Sequence, residues 1–285
     1  MSTYAVTGAS GHLGRLVVEE LLARGVAAAD VVAIVRTPGK VADLAERGVE
    51  VRAADYSSPE TLPAAVRGVD VLLLVSGSEV GQRVAQHTAV VEAAKAEGVG
   101  RVVYTSVLRA TDSDLVLAPE HRATEDVLRA SGVPFTVLRN GWYTENYTER
   151  LEQYLAAGEI AGAAGEGRIA AATRQDYAEA AVAALTGEGH ENAVYELGGT
   201  PFTLADLAAV ITDVTGTKVV YRDLTAEDLT RELVAAGLDE GTAGFVVSLD
   251  VSTAGGALDT DSGDLATLLG RPSTPLVDAV RAARA

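Results

Sequence analysis

The most chemically pointed stretch of the chain is Thr7-Gly8-Ala9-Ser10-Gly11-His12-Leu13-Gly14, in which glycine recurs at every third position. It stands between a short apolar run, Tyr4 to Thr7, and a segment with helical spacing, Leu13 to Arg24, that puts Leu16, Val17, Leu21 and Leu22 on one stripe. A strand, a glycine turn and a helix start, in that order, make a cradle for a pyrophosphate. The first glycine permits the tight turn. The second lets backbone N–H groups approach phosphate oxygens at the positive helix end, and the third lets helix and strand pack closely. The same string can serve as a plain turn. Its context favours a dinucleotide site formed by Gly8, Ala9, Ser10, Gly11, His12 and Leu13.

Further candidates end later apolar runs, where a ligand lying beyond the carboxyl ends of parallel strands would meet them. Arg36 follows Val31 to Val35, a place where an acid would hold a ribose 2′-hydroxyl. A guanidinium there suits a 2′-phosphate, so NADP(H) is expected over NAD(H), with NAD(H) left open. Asp55 and Tyr56 follow the third run; the carboxylate either accepts from an adenine amino group or caps a turn. Ser76-Gly77-Ser78 and Thr105-Ser106 end the fourth and fifth runs and are read as facing the same crevice, with Gln82 and Arg83 as further lining. Asn140-Gly141-Trp142-Tyr143-Thr144-Glu145 ends the sixth. This segment holds the only tryptophan and reads as a pocket wall, with Asn140 and Tyr143 orienting cofactor and substrate; aromatic packing between domains is the rival reading.

No tyrosine has lysine four residues later, so the serine–tyrosine–lysine carbonyl chemistry of many short-chain dehydrogenases has no support. His121 on the helix before the sixth strand is either a proton donor near neutral pH or a surface histidine one turn from Glu125. A quinone acceptor relaxes the need for an acid. Hydride addition gives a stabilised hydroquinone anion that water can protonate, so the site needs mainly proximity and orientation.

The elements that must position these groups alternate along the first half. Strands are expected at Tyr4 to Thr7, Val31 to Val35, Val49 to Ala53, Val69 to Val75, Arg101 to Thr105 and Pro134 to Arg139. Later helices are expected near Val80 to Glu97 and Pro119 to Ala130. Such alternation implies an α/β fold, a Rossmann-type doubly wound parallel sheet. The second half reads as a smaller, mostly helical α/β substrate domain, with sparse strands at Ile169 to Thr173, Val194 to Leu197 and Lys218 to Tyr221. Thr203 to Asp206 and Thr225 to Asp228 read as helix starts, and Gly162 to Gly167 as a glycine-rich loop. The expected division is 1–145 and 146–285, with some later segments returning to the first sheet.

The 285 residues include 23 basic and 40 acidic ones, a net charge of −17, and no cysteine. That charge disfavours nucleic acid and anionic lipid as partners. Absent thiols exclude disulfides, thiolate metal sites and cysteine nucleophiles, and the four histidines have no metal-ligand spacing. No apolar run approaches a membrane span, and the N-terminus has no signal-peptide core, so a cytoplasmic protein is expected, with a homodimer left open.

Taken together, the sequence resembles the NmrA-like branch of atypical short-chain dehydrogenases, especially bacterial type-2 NAD(P)H:quinone oxidoreductases. The resemblance rests on Thr7 to Gly14, Val32 to Arg36, Ser78 to Arg83 and Leu138 to Tyr147, and extends through Ala163 to Gly167 and Ala172 to Tyr177. It implies NADPH in the cleft, a quinone near its nicotinamide, and neither metal nor flavin. It also implies cofactor contacts from Gly8 to Leu13, Arg36, Ser76 to Ser78 and Asn140 to Glu145. Two rival functions share the scaffold: tailoring of a polycyclic quinone metabolite, and a non-catalytic NADP-binding redox sensor that regulates a protein partner.

Overall fold

The computed structural model describes residues 2–284. Seven strands form one parallel sheet: β1 (Tyr4–Thr7), β2 (Val31–Val35), β3 (Glu50–Ala53), β4 (Val71–Leu74), β5 (Arg101–Val107), β6 (Phe135–Asn140) and, from the second half, a strand at Ala193–Leu197. With the short strand at Glu159–Gly162 numbered β7, this last one is β8, and the sheet order is β3-β2-β1-β4-β5-β6-β8. All its pairings are parallel, from Tyr4 opposite Val31 and Val71 to Asn140 opposite Leu197. The fold is therefore the Rossmann-type α/β arrangement. Its topological switch point lies between β1 and β4, where successive connections leave in opposite directions and open a crevice at the carboxyl edge.

Burial follows the two-residue strand period. Val6, Ala33 and Val35 point into one core layer, and Ala5, Val32 and Ile34 into the other. The first layer is closed by α1 (His12–Ala23) and a helix at Arg174–Thr186, whose buried alanines 178, 181 and 184 let it sit close to α1. The second is closed by α3 (Leu62–Val66), α4 (Arg83–Ala96) and α5 (Ala118–Ser131), whereas α2 (Ala42–Glu46) places Leu44 in the first layer.

The remaining helices are α6 (Glu145–Thr148), α7 (Leu151–Ala157), the Arg174–Thr186 helix as α8, α9 (Leu204–Thr215), α10 (Ala226–Ala235), α11 (Glu240–Ala254), α12 (Asp264–Leu269) and α13 (Leu276–Arg284). A third apolar cluster gathers α7, α9 and α13 around β7, which pairs in parallel with β9 (Val220–Asp223). Thr203 and Thr225 do cap helices: each hydroxyl accepts the backbone N–H three residues on. Among the described residues no helix is long and apolar enough to cross a membrane.

Two expectations about elements need correcting, and one strand was missed. Ile169 to Thr173 is not a strand. It makes only single bridges, Ile169 to Phe202 and Ala172 to Tyr143, and Ala170 N–H donates to Leu258, so its hydrogen bonds go to separate loops. Strand β7 was not expected, because four residues ending in glycine carry little pattern. Helix α4 begins at Arg83 rather than near Val80, since Gly81 sits at φ +85°, outside helical space.

Candidate active site

The glycine loop leaves β1 at the switch point, and each glycine has a local reason. Gly8 takes φ +60°. Gly11 donates to Gly8 O at 2.8 Å and stands at the N-cap of α1, with no side chain covering the helix end and no acid in its first turn. A Cβ on Gly14 would lie 2.4 Å from Gly8 O. The first-turn N–H groups of α1 are therefore left without a capping side chain, with the positive end of the helix dipole behind them. Ala9 is buried and its N–H is tied to Ile34 O at 3.3 Å, which fixes the loop against β2.

Thr7 stitches the switch point. Its hydroxyl donates to Leu73 O at 3.1 Å and accepts from Val75 N at 2.9 Å, with the Tyr56 hydroxyl alongside. The Tyr56 phenol is thus turned into the sheet edge, and burial pushes it well above its ordinary range. Asp55 Oδ1 accepts from Ser57 N at 2.9 Å, the turn-capping alternative, while Asp55 and Tyr56 both line the cleft.

That cleft, about 380 Å³, runs along the carboxyl edge past Gly8, Ser10, Gly11, Arg36 and Ser76 to Ser78. Its floor is pinned strand by strand. Ser76 N donates to Thr105 Oγ1 at 2.8 Å. Gly77 N donates to His87 Nε2 at 2.9 Å, and Gly77 O accepts from Arg83 Nε at 3.0 Å. Gln82 is exposed and outside the cleft lining, whereas Arg83 is buried beneath it and paired with Glu120 at 2.6 Å.

A hollow of about 430 Å³ adjoins the same loop, lined by Ser10, Gly11, His12, Arg15, Glu145 and Arg174. Glu145 accepts from Arg174 N at 2.9 and 3.1 Å, so its carboxylate is committed to the start of α8. The Arg174 guanidinium lies 5.3 Å from the centre of the Tyr143 ring, which also packs edge-on against Tyr177.

At the end of β6, Asn140 is only 5% exposed and its Oδ1 has no hydrogen-bond partner. Buried acceptors are rarely left so, and an orphan at the carboxyl edge of the sheet points to a ligand group that completes it. Tyr143 lies close to that amide. Burial pushes its phenol up, and a side-chain hydrogen bond with Asn140 acts in the other direction. Trp142 is half-buried against the third apolar cluster. Gly141 is a packing residue rather than a contact surface, since a Cβ there would meet Ala170 O, Tyr177 Oη and Leu197 O within 3.0 Å. Thr144 is buried and donates its N–H to Ala172 O.

Two expected site residues turn away from the crevice. Ser106 donates to Oε1 of the fully buried Glu125 at 2.7 Å, and Glu125 also accepts from Arg139 at 2.7 and 2.9 Å. The strand alternates, so Thr105 and Ser106 cannot both face the cleft. His121 is neither a surface group nor poised near neutral pH. It is 4% exposed, its Nδ1 lies 2.7 Å from the Tyr104 hydroxyl, and burial brings it down to about 3.

Sequence reasoning missed Lys40, Glu79 and Gln86, which line the cleft, and Arg174. The available signal for Lys40 was a lysine four residues past Arg36 in a chain with three lysines.

The uncapped start of α1 beside the cleft suits an anionic ligand, and Asn140 Oδ1 at the end of β6 is open to a donor. The uncapped helix and glycine loop at the switch point thereby define a dinucleotide-binding protein of the Rossmann class. Comparison with known proteins agrees. Residues 8–188 match the model of the NAD(P)H-binding family. Quinone oxidoreductase 2 of Escherichia coli is 47% identical, over 97% of this chain and 96% of its own. The crystal structure of that NADPH-dependent quinone oxidoreductase in complex with NADPH superposes with a TM-score of 0.96 at 46% identity, covering 99% of this chain and 100% of the other. Triphenylmethane reductase from Citrobacter sp., complexed with NADP(H), gives a TM-score of 0.94 at 39% identity, over 99% and 100% of the two chains. The chain belongs to the NAD(P)H-binding family, among its NmrA-like oxidoreductases.

Proposed function

We propose that this protein is an NADPH-dependent quinone reductase. The observation that carries the reading is the pair at the end of β6. We take the two polar side chains there, Asn140 with its unpartnered Oδ1 and Tyr143 with its phenol held protonated by burial, as the groups a substrate would meet. Both can orient a carbonyl oxygen by hydrogen bonding, and neither is a ready acid at neutral pH. That combination suits an acceptor whose reduced anion is stable without immediate protonation, as a quinone's is. The near full-length likeness to an NADPH-dependent quinone oxidoreductase supports the same conclusion.

Bound NADPH supplies the hydride. The chain's residues bind and orient around it. The N–H groups of the Gly8 to Leu13 loop and α1 hold the diphosphate, Arg36 with Lys40 holds the 2′-phosphate, and Asp55 and Tyr56 flank the adenine. Ser76, Gly77 and Ser78 form the floor, with Thr105 holding it in place. Asn140 and Tyr143 would orient nicotinamide and quinone for transfer, Trp142 would wall the pocket, and Glu145 would close the pyrophosphate side by fixing Arg174. The setting we propose is the cytosol. Neither a tailoring role in secondary metabolism nor a turnover-free sensor is favoured by these observations.

The test is NADPH oxidation with small benzoquinones and naphthoquinones. Turnover that prefers NADPH, with a preference that collapses in Arg36→Ala, is expected. Tight NADPH binding with no turnover on any quinone overturns the activity, and an unmoved preference in Arg36→Ala overturns the role of Arg36.

A further inference from the structure

We propose that Glu79 is a specificity-determining residue: it penalises a 2′-phosphate and favours a 2′-hydroxyl, and so sets how far this site discriminates between the two adenine dinucleotides. The inference deepens the reading of the cleft as a dinucleotide site and rests on it. Glu79 lines the same cleft as Arg36 and Lys40. Its Oε1 lies 3.6 Å from Arg36 Nη1, and its Oε2 accepts from Gln86 Nε2 at 2.9 Å. Gln86 is itself buried and held by Ser57 Oγ at 2.9 Å. One carboxylate oxygen is thus anchored to a fixed amide while the other faces the guanidinium. Glu79 is not a freely swinging surface acid, although half of its side chain is exposed.

Two consequences follow for a ligand at this end. A 2′-phosphate brings about two negative charges, must take Arg36 away from Glu79, and then sits beside a carboxylate that cannot retreat far. A ribose 2′-hydroxyl leaves the Arg36–Glu79 pair in place and can donate to the carboxylate, the arrangement an acid provides in NAD-binding sites. One cleft therefore holds both elements of cofactor choice, with Arg36 and Lys40 pulling toward the phosphate and Glu79 toward the hydroxyl. Both members of the pair are solvent-exposed, so each interaction is modest and screened by salt.

The experiment uses fragments that report only the adenosine end, 2′,5′-ADP and 5′-AMP, titrated calorimetrically into the full chain and into Glu79→Gln at low salt. Glutamine keeps the length and the acceptor for Gln86 and removes the charge. Glu79→Gln is expected to bind 2′,5′-ADP about three- to tenfold more tightly, the worth of one or two exposed charge interactions. Its affinity for 5′-AMP should stay level or fall by about two- to threefold, because the glutamine Nε2 that replaces the free carboxylate oxygen cannot accept from the 2′-hydroxyl. In turnover, the preference for NADPH over NADH should sharpen by at least the factor seen with 2′,5′-ADP. Unchanged or weaker 2′,5′-ADP binding in Glu79→Gln overturns the assignment, and so does an equal gain for both probes. If the unaltered protein binds neither fragment, the dinucleotide reading fails and the assignment with it; if it binds both and the variant does not differ, only the assignment fails.

Discussion

Replacing Asn140 with leucine should make the free protein more stable and the loaded protein less so. Asn140 Oδ1 is buried and unpartnered. Leaving such an acceptor dry costs about 1–3 kcal/mol. Leucine has nearly the same branched shape and no polar atom, so about 1 kcal/mol of that cost should be recovered. In a chain of 285 residues this raises the melting midpoint by about 2 °C. If the orphan oxygen is completed by the nicotinamide end of the cofactor, the same substitution removes one ligand hydrogen bond, about 1–1.5 kcal/mol or close to a tenfold weaker Kd. Saturating nucleotide at about 100 times Kd stabilises the unaltered protein by about 2.7 kcal/mol. At that same concentration Asn140→Leu should keep only about half of the gain. The assay is thermal unfolding with and without NADP+, paired with kcat/KM for a quinone, which should fall. A variant that melts lower than the parent when free, yet shows the same nucleotide-dependent shift and the same kcat/KM, would refute the reasoning.

The remaining predictions concern the supports of the site. His87 and His121 are held down to about 3 by burial, against about 6.5 in an unfolded chain. Between those values the unfolded state binds protons that the native state does not. Their contribution is therefore intact above about pH 6.5 and is lost as pH falls toward 3, at up to about 1.4 kcal/mol per unit for each ring. Glutamine at position 87 keeps an acceptor for Gly77 N and cannot titrate, so its urea midpoint should decline less steeply between pH 6.5 and 4.5; parallel slopes would count against the argument. Gly14→Ala places a Cβ 2.4 Å from Gly8 O, a backbone atom that cannot step aside alone. Overpacking of about 1–3 kcal/mol should outweigh the helix-propensity gain of about 1 kcal/mol. Melting should drop by a few degrees and NADPH affinity should fall severalfold; parental affinity would show that the loop tolerates the shift.

Local pattern was enough for the first half of the fold. Val31 to Val35 announces a strand buried on both faces because every residue in it is apolar and β-branched or small, and the structure buries all five. The glycine loop was legible for a similar reason, since each glycine answers a steric demand within a few residues of itself: the φ of Gly8, and the contact of Gly14 with Gly8 O. The threonine caps at 203 and 225 are equally local, one hydroxyl and the N–H three residues on. By contrast, Ile169 to Thr173 has strand composition but no neighbouring strand to pair with, and composition does not say where hydrogen bonds will go.

What a residue's side chain meets across the fold was beyond the sequence's reach. Thr105 and Ser106 look interchangeable in the chain, yet the pleat sends one hydroxyl to the cleft floor and the other to Glu125. His121 and Glu125 share a helix face, but the imidazole finds Tyr104 of β5 and the carboxylate finds Arg139 of β6, each through strands far along the chain. Glu79 becomes interesting only because Arg36, more than forty residues earlier, is delivered to the same side of the switch point. The sequence by itself determined the strand–helix alternation, the phosphate loop and the guanidinium at the end of β2, because short-range sterics, periodicity and charge decide these. Only the tertiary structure decided which polar groups face the cleft, which are sealed in the core, and that Asn140 is left with an acceptor to fill. Those outcomes depend on register, twist and desolvation, which arise once distant segments pack.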